Sequence, residues 1–278
     1  MQTRWGLLIG LAALLGAGCG GAGNERSDDG TAGSPELDSA PQSLTGNAFL
    51  VYSRKVKWAF LAPLNLGTDR SCYLAGVAGN LTHANFQGAP AFPGVLIDPH
   101  EDNFTEYGHG IHFWVDAGRD GFKMQGKALC LPGPYERLIH YINGSDPSRV
   151  LPYTPDIRCF LSEVSNREGK EFMHSDSYLY VFHDSEHWWL KGEGPASGST
   201  MCRQVSKVRE SHIKIKGPNT IRLMHNDTGK VRCALTGIGG AFTKDDWDDG
   251  VLIDYDEDTK DWLMSAGAGK SGEAECFE

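Results

Sequence analysis

Apolar residues in this chain come in short runs rather than in long periodic stretches. Representative runs are FLVY from Phe49, GVLID from Gly94 and again from Gly250, and SYLYVF from Ser177. Glycine and proline interrupt these runs repeatedly, and the dense prolines of residues 132–155 exclude a long helix there. With 35 glycines and 10% aromatic residues, the pattern predicts an all-β protein of short antiparallel strands and many turns.

A tandem repeat organises these runs. CYLAGVAGNL opens at Cys72 and CALTGIGGAF opens at Cys233, so a cysteine, a leucine and two glycines recur at identical spacings. GVLID follows in both copies, and a more diverged copy opens with CFLSEV at Cys159. Internal similarity at a domain-sized period indicates that one structural unit occurs three times.

The three repeats are expected to cover residues 47–132, 133–204 and 205–278, with about four or five short strands in each. Their connectors contain strand-like pieces, so we favour one compact, pseudo-threefold body over three separate beads. In the second connector HIKIK and TIRLMH are separated by GPN, a turn signal that predicts a hairpin.

The amino terminus has the pattern of a secretory signal peptide. Residues 1–18 contain an early arginine, an apolar run and then small residues before Cys19. The ending LGAGC resembles the lipobox of bacterial lipoproteins. That resemblance implies that Cys19 is acylated and holds the mature protein at the bacterial outer membrane or cell surface. The alternative is a cleaved signal followed by an incidental cysteine.

Residues 19–46 are rich in glycine, serine, aspartate and proline and contain no aromatic residue. Such a segment cannot bury enough apolar surface to fold, so we expect a flexible tether, with order beginning near Phe49.

The chain has seven cysteines, and six remain once Cys19 is set aside. Each repeat holds two of them, one near each end, and export to an oxidising compartment favours disulfides. No two cysteines lie two to four residues apart, which argues against a cysteine zinc site. The repeat selects one connectivity, and the predicted pairs are Cys72 with Cys130, Cys159 with Cys202, and Cys233 with Cys276.

The formal net charge of −10 argues against nucleic acid as a partner, because counterion release needs clustered lysine and arginine facing phosphates. The sequence also lacks a serine nucleophile elbow and a phosphate loop. No catalytic residue is therefore predicted, and we do not expect an enzyme.

One motif nevertheless suggests zinc chemistry. HDSEH, from His183 to His187, matches the His-x-x-Glu-His string of inverted zinc peptidases. That mechanism needs both imidazoles on one face of a helix, whereas this motif follows a strand-like run and predicts a hairpin turn. His109 and His112 precede a tryptophan in the first repeat much as His183 and His187 do in the second. A non-catalytic metal site that joins the two repeats is therefore an alternative.

The third repeat supplies hard oxygen ligands of the kind that calcium prefers. They do not fit an EF-hand loop, because Thr259 replaces the glycine of the sixth position. A loose calcium turn is the remaining prediction, and no other cofactor is expected. The candidate ligands are Asp254, Asp256, Asp258 and Asp261.

Tryptophans recur late in each repeat, as Trp114, Trp188 and Trp262, and we expect them to pack in the core. Trp189 should face outward, because adjacent side chains on a strand point to opposite faces. Together with Tyr180 and Tyr255, an exposed Trp189 would form a shallow platform on which a sugar ring could stack.

These features predict an exported, lipid-anchored surface protein that acts as a binding or adhesion module, with a surface glycan or protein as its partner. One alternative is a structural envelope lipoprotein without a small-molecule ligand. Another is a hydrolase that uses the His-rich loops. Exposed aromatic residues favour the binder, complete burial favours the structural protein, and one cleft with converging histidines and acids favours the enzyme.

Overall fold

The computed structural model describes residues 42–44, 48–55, 70–81, 94–101, 111–117, 124–141, 144–165, 175–194, 196–244, 246 and 248–278. Within these residues every regular element is a β-strand, which confirms the all-β prediction. No helix long and apolar enough to cross a membrane occurs in this described part of the chain. The predicted signal peptide, residues 1–18, and Cys19 lie outside it.

The described strands comprise the repeat strands and the connector strands between them. In chain order they are β1 (Gln42–Ser43), β2 (Phe49–Lys55), β3 (Arg70–Gly79), β4 (Gly94–Glu101), β5 (Ile111–Ala117), β6 (Met124–Pro132), β7 (Arg137–Tyr141), β8 (Ser148–Pro152), β9 (Ile157–Ser165), β10 (Tyr178–His183), β11 (His187–Glu193), β12 (Ser197–Gln204), β13 (Val208–Lys216), β14 (Asn219–His225), β15 (Arg232–Gly240), β16 (Gly250–Asp256), β17 (Asp261–Ala266) and β18 (Lys270–Phe277).

A disulfide joins two antiparallel strands in each repeat, β3 with β6, β9 with β12 and β15 with β18. The two cysteines of each pair lie directly opposite one another, with Cα atoms 3.9 to 4.1 Å apart. The predicted pairing is confirmed, with disulfides between Cys72 and Cys130, Cys159 and Cys202, and Cys233 and Cys276.

The two middle strands of each repeat form a hairpin that joins the sheet of another repeat. The β4–β5 hairpin pairs with β9, the β10–β11 hairpin with β15, and the β16–β17 hairpin with β3. This exchange is cyclic, because the hairpin of the third repeat pairs with β3 of the first repeat. The described strands accordingly belong to one compact unit, and separate beads are excluded.

Connector strands extend the three open sheets. β2, β7 and β13 pair with β6, β12 and β18, whereas β8 and β14 pair with β11 and β17. The described parts of the second and third repeats thus contain six strands each rather than four or five. The sheet orders are β1-β2-β6-β3-β16-β17-β14, β13-β18-β15-β10-β11-β8 and β5-β4-β9-β12-β7.

The predicted HIKIK and TIRLMH hairpin is wrong. These segments form β13 and β14, with a bend at Gly217 and Pro218 between them. The two strands nevertheless lie in different sheets, because β13 bonds to β18 and β14 bonds to β17. A turn signal predicts the break between two strands but not the partner of each strand.

The repeated glycines have two separate structural roles. Gly76 lies opposite Leu252 of the β16–β17 hairpin, and a Cβ there would approach Leu252 Cδ2 to 2.6 Å. Gly79 and Gly240 end the first strands of their repeats with φ values of 96° and 108°, a conformation that favours glycine. The strands also bulge at equivalent places, at Ala75, Ser162 and Thr236.

One aromatic chain crosses the core and links the three repeats. Tyr73, Phe160 and Phe277 each come from a different repeat, and all three are buried. The ring centroids of Tyr73 and Phe160 lie 5.2 Å apart, and those of Phe160 and Phe277 lie 4.8 Å apart. The repeats therefore share a single hydrophobic core.

The tryptophans occupy two register positions rather than one. Trp188 and Trp262 are equivalent, and Phe113 holds that position in the first repeat. Trp114 lies one residue further along, at the register position of Trp189, so its predicted equivalence to Trp188 is wrong. Trp188 and Trp262 are buried as predicted, with relative exposures of 2% and 0%.

The fold begins earlier than near Phe49. Although residues 42–44 belong to the predicted tether, β1 pairs with β2. Leu44 is buried, and its backbone N–H donates to the Ala48 carbonyl oxygen over 2.8 Å. The Leu44 side chain packs in the hydrophobic core and thereby holds residues 42–44 against it.

Candidate functional site

The outer face of the β10–β11 hairpin carries a row of aromatic side chains. Alternation along β10 buries Leu179 and Val181 and turns Tyr178, Tyr180 and Phe182 to the opposite face, where all three are half-buried. The ring centroids of successive aromatic residues lie 5.4 and 5.5 Å apart. The rings therefore form a continuous strip along the strand.

Trp189 extends this strip onto β11. It pairs with Phe182 across the ladder and is half-buried, whereas its neighbour Trp188 packs in the core. The predicted alternation of the two tryptophans is thus confirmed. We refer to Tyr178, Tyr180, Phe182 and Trp189 as the aromatic face.

Asp184 holds the indole of Trp189 in place. Trp189 Nε1 donates to Asp184 Oδ2 over 2.8 Å, while Asp184 Oδ1 accepts the backbone N–H groups of His187 and Glu186 over 2.7 and 2.8 Å. These backbone bonds, with the indole bond, lower the pKa of the Asp184 carboxyl. The ionised side chain therefore caps the turn and orients the tryptophan at once.

Polar groups border the aromatic face. The Tyr180 hydroxyl donates to Glu193 Oε1 over 3.2 Å, and Lys191 Nζ lies 3.7 Å from the same oxygen. Arg149, an exposed residue of β8, pairs with Trp189 across the ladder. A ligand on the aromatic rings would therefore meet both hydrogen-bond donors and acceptors at the border.

Tyr178 lies over glycines of the neighbouring strand β15. A Cβ at Gly237 would approach the Tyr178 Oη to 2.7 Å, and Gly239 is also in close contact with the ring. The Tyr178 hydroxyl donates to Glu273 Oε2 over 3.3 Å. Burial, followed by the negative charge of Glu273, raises the pKa of Tyr178. The repeated glycines thus create the space in which this ring lies.

Tyr255, the third predicted platform residue, lies elsewhere. It is half-buried against the core, and its ring centroid lies 5.2 Å from that of the buried Trp262. The structure brings Tyr180 and Trp189 together but not Tyr255. Phe182 was missed, although the alternation of SYLYVF puts it on the face of Tyr180.

HDSEH forms the predicted turn between two strands, so it lacks the helix on which the zinc peptidase arrangement depends. His183 shares the core-side face of β10 and stacks on Tyr153 with ring centroids 4.1 Å apart. His187 lies on the outer side of β11, 5.9 Å from the Trp189 ring. The two imidazoles therefore point to opposite faces. His109 and the side chain of His112 lie outside the described residues.

Two aspartates of the predicted calcium turn form ion pairs. Asp254 pairs with the buried Lys127 of the first repeat. Asp261 Oδ1 lies 2.8 Å from His225 Nδ1. Both carboxylates thus link the third hairpin to neighbouring strands.

Asp256 caps the β16–β17 turn, and Asp258 is exposed within that turn. Hydrogen bonds from Thr259 and from the backbone N–H of Asp258 lower the pKa of the Asp256 carboxyl. The described residues contain no group of three or more His, Cys, Asp or Glu side chains that could hold a metal ion. The geometry therefore gives the calcium prediction no support.

Comparison with known proteins leaves the site to be interpreted from its geometry, since no family model, curated protein or solved structure matches the chain.

Proposed function

We propose that this protein is an exported, lipid-anchored surface protein whose aromatic face binds carbohydrate. The observation that carries the proposal is a strip of four half-buried aromatic rings on the outer side of one hairpin. Sugar rings present apolar C–H faces and equatorial hydroxyls, so they suit a surface that combines aromatic rings with polar groups at its border.

The order within the aromatic face supports binding without a large conformational cost. Asp184 holds Trp189, and Glu193 accepts from Tyr180, so two of the four rings are already oriented. A pre-organised surface loses less side-chain entropy when a ligand binds. The aromatic face extends along two paired strands, which suits a chain of sugars or the surface of another cell better than a small enclosed substrate.

The anchor is the second part of the proposal. Acyl chains on Cys19 would hold the body at the bacterial outer membrane or cell surface, with the residues before β1 as spacer. Replacing Cys19 with Ser should release the protein from the membrane fraction. Unchanged detergent partitioning of that variant would refute the anchor.

Binding is tested by glycan-array and whole-cell binding of Trp189→Ala, with Leu263→Ala as its matched control at the equivalent position of the third hairpin. Loss of a central aromatic contact is expected to weaken binding by at least about tenfold, whereas Leu263→Ala should bind like the parent. Full binding by a folded Trp189→Ala variant would refute the aromatic face as the site. Binding to a protein but to no glycan would refute the ligand class.

A further inference from the structure

A cleft lies where the last strands of the three repeats end. Leu131, Arg203 and Phe277 each follow the second cysteine of their repeat, and all three line this cleft. Its volume is about 380 Å³, large enough for a small organic molecule. Because one equivalent residue comes from each repeat, the cleft is a product of the pseudo-threefold arrangement.

The lining combines an apolar floor with positive charge. Ala48, Leu131 and Phe277 supply the apolar part. Three of the described lining residues are cations and one, Glu278, is an acid. The cations are Arg203, Lys230 and Arg232.

Glu278 is already engaged by protein groups. Its Oε1 accepts from Arg209 Nε over 2.9 Å and from the Thr228 hydroxyl over 3.1 Å. These bonds, that from Arg209 above all, lower its pKa, so the carboxylate stays ionised. The lining therefore contains three cations and one carboxylate that is already hydrogen-bonded. The cleft is locally positive, although the net charge of the chain is −10.

The Arg203 guanidinium is held in place beside the cleft. Its Nη2 donates to the Pro132 carbonyl oxygen over 3.1 Å, and its Nε donates to the Gln204 carbonyl oxygen over 3.3 Å. It also lies beside the buried Tyr73 hydroxyl, whose pKa burial raises to about 12. The positive charge of Arg203 is therefore fixed at the edge of the cleft.

We propose that this cleft binds a small organic carboxylate, with Arg203 as the principal ligand to the carboxylate group and Leu131 and Phe277 in contact with its apolar body. A carboxylate only accepts hydrogen bonds and is negatively charged, so it suits a cleft whose lining contains three cationic side chains. Lys230 and Arg232 add favourable charge. The cleft shares no residue with the aromatic face, so either proposal can fail without the other.

Benzoate and its neutral isostere benzamide are the probes, with binding measured by isothermal titration calorimetry on the folded protein. Benzoate is expected to bind at least about tenfold more tightly than benzamide, because a charge-assisted hydrogen bond contributes more than a neutral one. Raising the salt concentration should weaken benzoate but not benzamide. Equal affinity for the two probes, or no benzoate binding, would overturn the proposal.

Variants then test the role of Arg203. Arg203→Gln should weaken benzoate by at least about tenfold, while Arg222→Gln, which removes an exposed arginine on β14, should bind within about twofold of the parent. Thermal melting shows whether each variant folds. If Arg203→Gln does not fold, Arg203→Lys takes its place, and the loss of the planar fork should still weaken benzoate several-fold. Parental affinity in the folded variant would overturn the assignment.

Discussion

The β10–β11 and β16–β17 hairpins occupy equivalent places in the repeat and differ mainly on one face. Their core-facing positions hold similar apolar residues, namely Leu179 and Val251, Val181 and Ile253, Trp188 and Trp262, and Leu190 and Met264. Their outward positions hold unlike residues, namely Tyr178 and Gly250, Tyr180 and Leu252, Phe182 and Asp254, and Trp189 and Leu263.

This difference separates what the fold requires from what a site requires. The buried face must match the shared core in each repeat, so its residues stay apolar and large. The outward face can vary. It is aromatic in the second repeat, whereas in the third repeat it includes Asp254, which forms an ion pair with Lys127. Function in this fold is therefore expected on the outward positions of a single hairpin.

The largest expected effect comes from the shared core position. Trp188→Ala and Trp262→Ala should each lower the free energy of unfolding by about 3 to 5 kcal/mol. Trp262→Phe should cost about 1 kcal/mol more than Trp188→Phe. Trp262 Nε1 donates to the Val231 carbonyl oxygen over 3.0 Å, whereas Trp188 Nε1 has no acceptor among the residues that the structure describes. Chemical denaturation checks both, and equal costs for the two Phe variants would break the distinction.

The disulfides of these two repeats allow a matched comparison. Cys159–Cys202 and Cys233–Cys276 both span a sequence separation of 43 residues. Replacing either pair with alanine should lower the free energy of unfolding by about 4 kcal/mol, because both restrict the unfolded chain to the same degree. Urea titration provides the measurement. Clearly unequal losses would show that strand packing, not chain entropy, decides the contribution.

Of the two hairpins, the second is expected to contribute an alkaline loss of stability through Tyr178, since Tyr178 has Gly250 as its equivalent in the third. The pKa of Tyr178 is raised above its unfolded value of about 10, so the folded state keeps this proton longer. Its contribution is present below pH ~10 and is lost as pH rises further. Tyr178→Phe should flatten the alkaline decline of stability and cost about 1 kcal/mol at neutral pH. An unchanged alkaline decline would contradict this assignment.

The smallest effect is expected at the outward position beside the core tryptophan. Trp189→Ala and Leu263→Ala should each change the free energy of unfolding by no more than about 1 kcal/mol, because both side chains are partly exposed. Thermal melting beside Trp188→Ala measures the contrast. If Trp189→Ala destabilised as much as Trp188→Ala, the two faces of β11 would not be distinct.

Local signals predicted much of this structure. The six cysteines that remain once Cys19 is set aside, with their places in the repeat, predicted the three disulfides, and the short apolar runs predicted an all-β fold. Alternation predicted that Trp188 is buried and that Trp189 faces outward, because a strand turns adjacent side chains to opposite faces.

These local signals did not predict which strands pair when the strands are far apart in the sequence. Counting along the chain placed Trp114 with Trp188, but the repeats differ in loop length, and a slip of one residue exchanges the two faces. The separation of β13 and β14 into different sheets depends on partners elsewhere in the chain. The cleft at Arg203 could not be predicted at all, because its lining meets only after three repeats have assembled.

The cyclic exchange of hairpins also sets the order in which the protein can be completed. Each disulfide closes within its own repeat, so it can form as soon as that repeat has been made. The β3 edge, by contrast, waits for β16 near the other end of the chain, and such distant pairings form slowly. Pulse-labelling hydrogen exchange during refolding should therefore find the β3 and β16 amides among the last to be protected. Until β16 pairs with it, the edge of β3 exposes unpaired backbone groups to which a strand of a second copy can bind. Pairing of the β16–β17 hairpin with β3 therefore protects the folding chain from association with other copies.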